Sequence, residues 1–150
     1  MPGIRDRVAI IGMGCSKFGE RWESDGYDLL VEACYEAFED AGVESKEIQA
    51  GWLGTVGTFT VGTVSVTGQH LAQALKLGYI PITRVENACA TATDAFRNAS
   101  YAVAAGIYDI VLAAGVEKLK DSGFSGLGGA RPPGSYVDPP APPPAQFAMA

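Results

Sequence analysis

The 150-residue chain predicts an α/β fold built on a largely parallel sheet, and three features of it do so. Short, continuous apolar runs at 8–11 and 110–114 have the length and glycine punctuation of buried strands. Residues 27–41 place Leu29, Leu30, Ala33, Cys34, Ala37, Phe38 and Ala41 on one helical stripe, with Glu32, Glu36, Glu39 and Asp40 outside it. Strand and helix signals then alternate along the chain, the order that builds crossover units around parallel strands. The length suits one domain with an adequate core and not two.

Each element has its own reason. The run Val8-Ala9-Ile10-Ile11 ends at Gly12-Met13-Gly14, as a buried strand ends in a turn. The helix at 27–41 is stopped by Gly42, a natural C-terminal cap. Residues 52–60 read as a second strand, interrupted at Gly54 and Gly57, and the polar, glycine-rich stretch 62–68 reads as a loop. A short helix over 69–77 carries Leu71, Ala72, Ala74, Leu75 and Leu77 and stops at Gly78. An extended run from Ile82 to Val85 gives way to an alanine-rich helix with Ala92, Ala95, Phe96, Ala99 and Val103 on one face. The small residues of that helix allow close approach of neighbours on several sides. Seven prolines between 131 and 144 exclude regular helix or sheet there and favour extended polyproline geometry, and 146–150 resembles the start of a helix.

Composition removes several function classes. A net charge of −6 argues against a non-specific nucleic-acid binder, which presents a basic patch. Three cysteines at 15, 34 and 89 form neither a metal spacing nor an even disulfide framework, so reduced thiols and a cytoplasmic location are expected. A single histidine, His70, makes a zinc site improbable, and it reads as an ordinary polar helix residue. Residues 8–13 are too short for a secretory apolar core, and no stretch has the length to cross a bilayer. Ile11-Gly12-Met13-Gly14 begins like a dinucleotide-binding turn, but Lys17 holds the third glycine position and no acidic residue ends a second strand at the required distance.

Cys89 carries the chemistry. It lies where the extended run meets the helix, and a thiol in a first helical turn faces unpaired N–H groups that favour the thiolate. The thiolate is the nucleophile of acyl transfer. Position alone also fits a small, inert, buried hydrophobe, the common fate of a free cysteine. Cys34 belongs to the helical stripe and reads as core packing.

Three segments, Val8-Ala9-Ile10-Ile11-Gly12, Val85-Glu86-Asn87-Ala88-Cys89-Ala90 and Ala114-Gly115-Val116-Glu117-Lys118-Leu119, occur in the order in which the thiolase superfamily has them. The chain resembles the N-terminal half of that superfamily, most closely its sterol-carrier-protein branch. The resemblance implies an α/β domain over 7–123 and, over 124–150, a Pro-rich segment opening a loop domain, with the C-terminal half absent. It implies that Cys89 accepts the acyl group of an acyl-CoA thioester, with coenzyme A entering as part of the substrate and no permanently bound cofactor. CoA-binding residues cannot be carried over, and Glu117 corresponds to a position that mainly supports the fold. Family members take two histidines and a second cysteine from the C-terminal half, so the isolated chain is expected to be inactive. Cys15 matches no catalytic position. Many thiolases have glycine where this chain has Ala92, which bears on substrate size. A non-catalytic half-fold or scaffold subunit, or a ketoacyl synthase or aldolase of the same fold, remain alternatives. Expected partners are a second copy or a thiolase-like chain, and neither nucleic acid nor membrane.

Overall fold

The computed structural model describes residues 3–56, 60–61, 64–65 and 67–118. The first helix, α1 (Gly26–Ala41), begins at a reciprocal capping box. The Asp25 carboxylate accepts from the Asp28 N–H, and that of Asp28 accepts from the Asp25 N–H, both at 2.9 Å. It ends where Gly42 turns into the left-handed region at φ 67° and the Val43 N–H reaches back to the Phe38 carbonyl. Leu30, Cys34 and Phe38 are its buried stripe. A single 3₁₀ turn (Ser45–Glu47) leads into β1 (Ala50–Gly54). Next come the short strands β2 (Thr60–Val61) and β3 (Val64–Ser65), then α2 (Gly68–Leu75) and β4 (Ile82–Val85). A second 3₁₀ turn (Ala88–Ala90) runs directly into α3 (Thr91–Ala104), and β5 (Val111–Gly115) follows.

The main sheet is parallel throughout, in the order β4-β1-β5. Parallel strands aligned in register point matching side chains to the same face. Leu53 and Leu112 therefore join Leu30, Cys34, Phe38, Leu71 and Leu75 in a core beneath α1 and α2. The opposite face receives α3, whose Ala95, Ala99 and Ala102 are buried. Trp52 looks to that side and meets the Tyr108 ring edge-on at 6.4 Å between centroids. The small residues foreseen for α3 are what let it lie close to the sheet.

Several expectations are corrected. Residues 8–11 form no strand; Ile10 and Ile11 are 62% and 53% exposed. Instead the following residues run along α1, where three backbone N–H groups find carboxylates: Met13 to Asp40 (3.0 Å), Cys15 to Glu36 (2.9 Å) and Lys17 to Glu32 (3.3 Å). Alternate residues of an extended chain advance about 6.7 Å and four helical residues about 6.0 Å, so the two rows nearly match. Gly12 and Gly14 make the approach possible: a Cβ on Gly14 would lie 2.1 Å from the Ala33 carbonyl oxygen. The strand read over 52–60 is shorter, and Val64–Ser65 pairs antiparallel with Thr60–Val61 where a loop was expected. The helix read over 69–77 spans Gly68–Leu75 and is closed by Lys76 at φ 52°, not by Gly78. Phe96 is 47% exposed and faces a groove of about 620 Å³ between residues 8–14 and β5. The Pro-rich stretch and residues 124–150 lie outside the described residues.

Candidate active site at the strand ends

The register brings three strand ends together, with Val85 opposite Gly54 and Gly54 opposite Gly115. In an open parallel sheet the carboxyl ends of the strands are where sites form, because each chain leaves the sheet there in a loop. Cys89 follows β4, Thr55 and Val56 follow β1, and Glu117 follows β5.

Cys89 sits in the 3₁₀ turn ahead of α3 and is exposed. Ala88 before it takes φ 45°, a left-handed conformation uncommon for any residue with a Cβ. Local hydrogen bonds hold the turn. The Glu86 Oε1 accepts from the Ala88 N–H at 2.6 Å, and the Ala90 N–H donates to the Asn87 carbonyl at 2.9 Å. The buried Thr91 hydroxyl accepts from the Asn87 N–H at 2.8 Å and donates to the Ala88 carbonyl at 2.6 Å.

Gly54, paired with Gly115 on β5, makes the seat for this turn. A Cβ on Gly54 would lie 3.1 Å from both the Thr91 Cγ2 and its carbonyl oxygen, and one on Gly115 would lie 3.6 Å from the Ala92 Cβ. The sheet is notched at this point, and α3 enters the notch with its first turn. A Cβ on Gly115 would meet Ala92 in ordinary van der Waals contact, so the tight approach is the one at Gly54.

The neighbouring loops are bound to one another. The Glu117 Oε1 accepts from the Thr55 hydroxyl at 3.0 Å and from the Val56 N–H, and the Arg84 Nη2 donates to the Thr55 carbonyl at 3.3 Å. Glu117 thus ties the ends of β1 and β5, the supporting role foreseen for it.

The other candidates fall elsewhere. His70 closes the N-terminus of α2: its Nδ1 accepts from the Thr67 N–H at 3.0 Å, and its ring packs tilted on Tyr27. Cys34 is 4% exposed, and burial pushes its thiol up to about 12, so it stays protonated. Cys15 lies on the segment that runs along α1. Among the described residues no group of three or more His, Cys, Asp and Glu could hold a metal ion, and no helix is long and apolar enough to cross a membrane. Sequence reasoning passed over Thr91, Gly54 and Gly115. Glycines ending two strands were the available signal for the notch.

Known proteins are similar to this chain in sequence and in fold. The thiolase N-terminal domain family model matches residues 8–125. The chain is 42% identical over 118 residues to an acetyl-CoA acetyltransferase of Methanothermobacter thermautotrophicus, covering 79% of this chain and 30% of that protein. It is 35% identical over 129 residues to sterol carrier protein 2 of Gallus gallus, covering 81% and 23%. Among solved structures, 3-oxoacyl-[acyl-carrier-protein] synthase III from Aquifex aeolicus superposes with a TM-score of 0.57 at 25% identity, over 66% of this chain and 32% of that one. The Ltp2-ChsH2(DUF35) aldolase superposes with a TM-score of 0.56 at 27% identity, over 67% and 25%. The chain thus spans less than a third of the length of these relatives. With a family match over most of its length, the chain belongs to the thiolase family, in the part that corresponds to the N-terminal domain.

Proposed function

We propose that this chain carries the nucleophile of a thiolase-type acyltransferase acting on acyl-CoA thioesters, with Cys89 taking the acyl group. The observation that supports this most is the exposed Cys89 on a left-handed turn at the carboxyl ends of three parallel strands. In the first half-reaction the Cys89 thiolate adds to the thioester carbonyl and a new carbon–sulfur bond forms. The bond to the CoA sulfur breaks, and the departing thiolate takes a proton. The Cys89 N–H, at the start of the helical turn, serves as a donor to the carbonyl oxygen as it gains charge. In the second half-reaction an acceptor carbanion takes the acyl group and Cys89 is released. A general base in the active site makes that carbanion. Coenzyme A arrives and leaves with the substrate, and no permanent cofactor is required.

Iodoacetamide should inactivate the native protein by alkylating Cys89, and acyl-CoA should slow that reaction. Cys89→Ala should lower acyl transfer by at least about 10³-fold. Full activity in that variant would remove the assignment.

The apolar groove between residues 8–14 and β5 favours a second reading, in which the domain is a subunit that docks on a thiolase-like partner. One of the solved relatives is named an aldolase, a reaction that need not acylate Cys89. An acyl-Cys89 adduct separates the acyltransferase from both.

A further inference from the structure

We propose that Thr91 is the positioning residue for Cys89, an inference that rests on the reading of Cys89 as the nucleophile. The peptide unit joining Ala88 to Cys89 contains both the Ala88 carbonyl and the Cys89 N–H. Its plane decides where that N–H points and where the Cys89 side chain leaves the backbone. The Thr91 hydroxyl donates to this carbonyl at 2.6 Å and accepts from the Asn87 N–H at 2.8 Å. One oxygen thereby grips the chain on both sides of the left-handed Ala88. The Thr91 N–H also reaches the Ala88 carbonyl. Ala88 has no side chain able to stabilise its own φ of 45°, so the conformation is imposed from outside.

The other branch of Thr91 fixes the hydroxyl. Its Cγ2 rests over Gly54, 3.1 Å from where a Cβ would be, and the residue is 6% exposed. Threonine joins the two functions on one carbon: a methyl seated in the sheet notch and a hydroxyl able to donate and accept at once. Serine keeps the hydroxyl without the seat. Valine keeps the seat without the hydroxyl.

This difference defines the test. Formation of acyl-Cys89 from acetyl-CoA is followed by rapid quench and mass spectrometry in the native protein and in its Thr91→Val and Thr91→Ser variants, with a thermal melt of each. Thr91→Val is expected to slow acylation about tenfold or more at saturating acetyl-CoA, with little change in KM. Thr91→Ser is expected to stay within about threefold of the parent rate, even where its melting temperature falls. A structural role alone would lower the melting temperatures and leave the rates in step with one another. Parent-like acylation in Thr91→Val overturns the proposal while leaving Cys89 as nucleophile. If Thr91→Val does not fold, Thr91→Ala takes its place, and parent-like acylation in that folded variant overturns the proposal equally. A parent protein that never acylates Cys89 removes the nucleophile reading, and this inference with it.

Discussion

At the residue scale the site depends on what is missing from the sheet. Gly54 pairs with Gly115 between β1 and β5, and the first turn of α3 takes the space that a side chain on Gly54 would fill. A methyl at Gly54 meets the Thr91 Cγ2 and carbonyl at 3.1 Å, which forces a shift of a few tenths of an ångström in the residue that holds the Cys89 turn. Gly54→Ala should therefore cost about 1–3 kcal/mol in a urea titration and slow acylation of Cys89; an unchanged midpoint and rate would refute the notch. Position alone left Cys89 open to the reading of a buried, inert thiol, and the resemblance carried by residues 85–90 singled it out; the structure places it exposed in the turn ahead of α3. Thr91 was not legible in the sequence, since its hydroxyl bonds depend on the left-handed Ala88, and nothing in an alanine announces a positive φ. The departure at Ala92 has no structural explanation, since even a Cβ on Gly115 would meet it only in ordinary contact. Cys34 was read correctly from its place in a helical stripe, and its raised thiol pKa follows from that burial.

At the scale of elements, α1, α3 and the strands at β4 and β5 were legible because periodicity and glycine punctuation are local signals. The run at 8–11 was misread because its surroundings are not local. Past it, the chain is held by a row of α1 carboxylates, and the approach is set by Gly12 and Gly14. Arg21 strengthens that row with a 2.5 Å contact to Glu32. The Arg21 guanidinium, helped by the Lys17 N–H, holds the Glu32 carboxyl below its ordinary range. A carboxyl lowered in this way adds stability above its unfolded value, roughly pH 4, and loses that contribution as pH falls through the lower folded value. Glu32→Gln should thus melt slightly below the parent protein at neutral pH, by a small margin because the pair is exposed, and the two melts should converge in acid. A gap that persists below about pH 2 would show that the carboxylate charge is not responsible. The pairing of Thr60–Val61 with Val64–Ser65 escaped notice because two-residue strands carry too little pattern to read.

At the scale of the whole molecule, the parallel arrangement of β4, β1 and β5 gathers the loops that bear Cys89, Thr55 and Glu117 at one end of the sheet. The thiolase N-terminal domain match, over residues 8–125, covers all three of these loops. The sequence order of elements predicted the parallel sheet, since crossover helices leave little choice of topology. It could not predict the strand order, with the last strand beside the first, which depends on how α1 and α3 take opposite faces. An apolar groove of about 620 Å³ lies beside β5, lined by residues 8–14 and by side chains of α1 and α3. The central claim is that Cys89 receives an acyl group. Its most direct test is to mix the native protein with acetyl-CoA, quench in acid and map the peptides by mass spectrometry. One acetyl group on Cys89, absent from Cys89→Ala and removed by hydroxylamine as a thioester would be, is the predicted result. Acetylation confined to other residues, or none at all in folded protein, would contradict it.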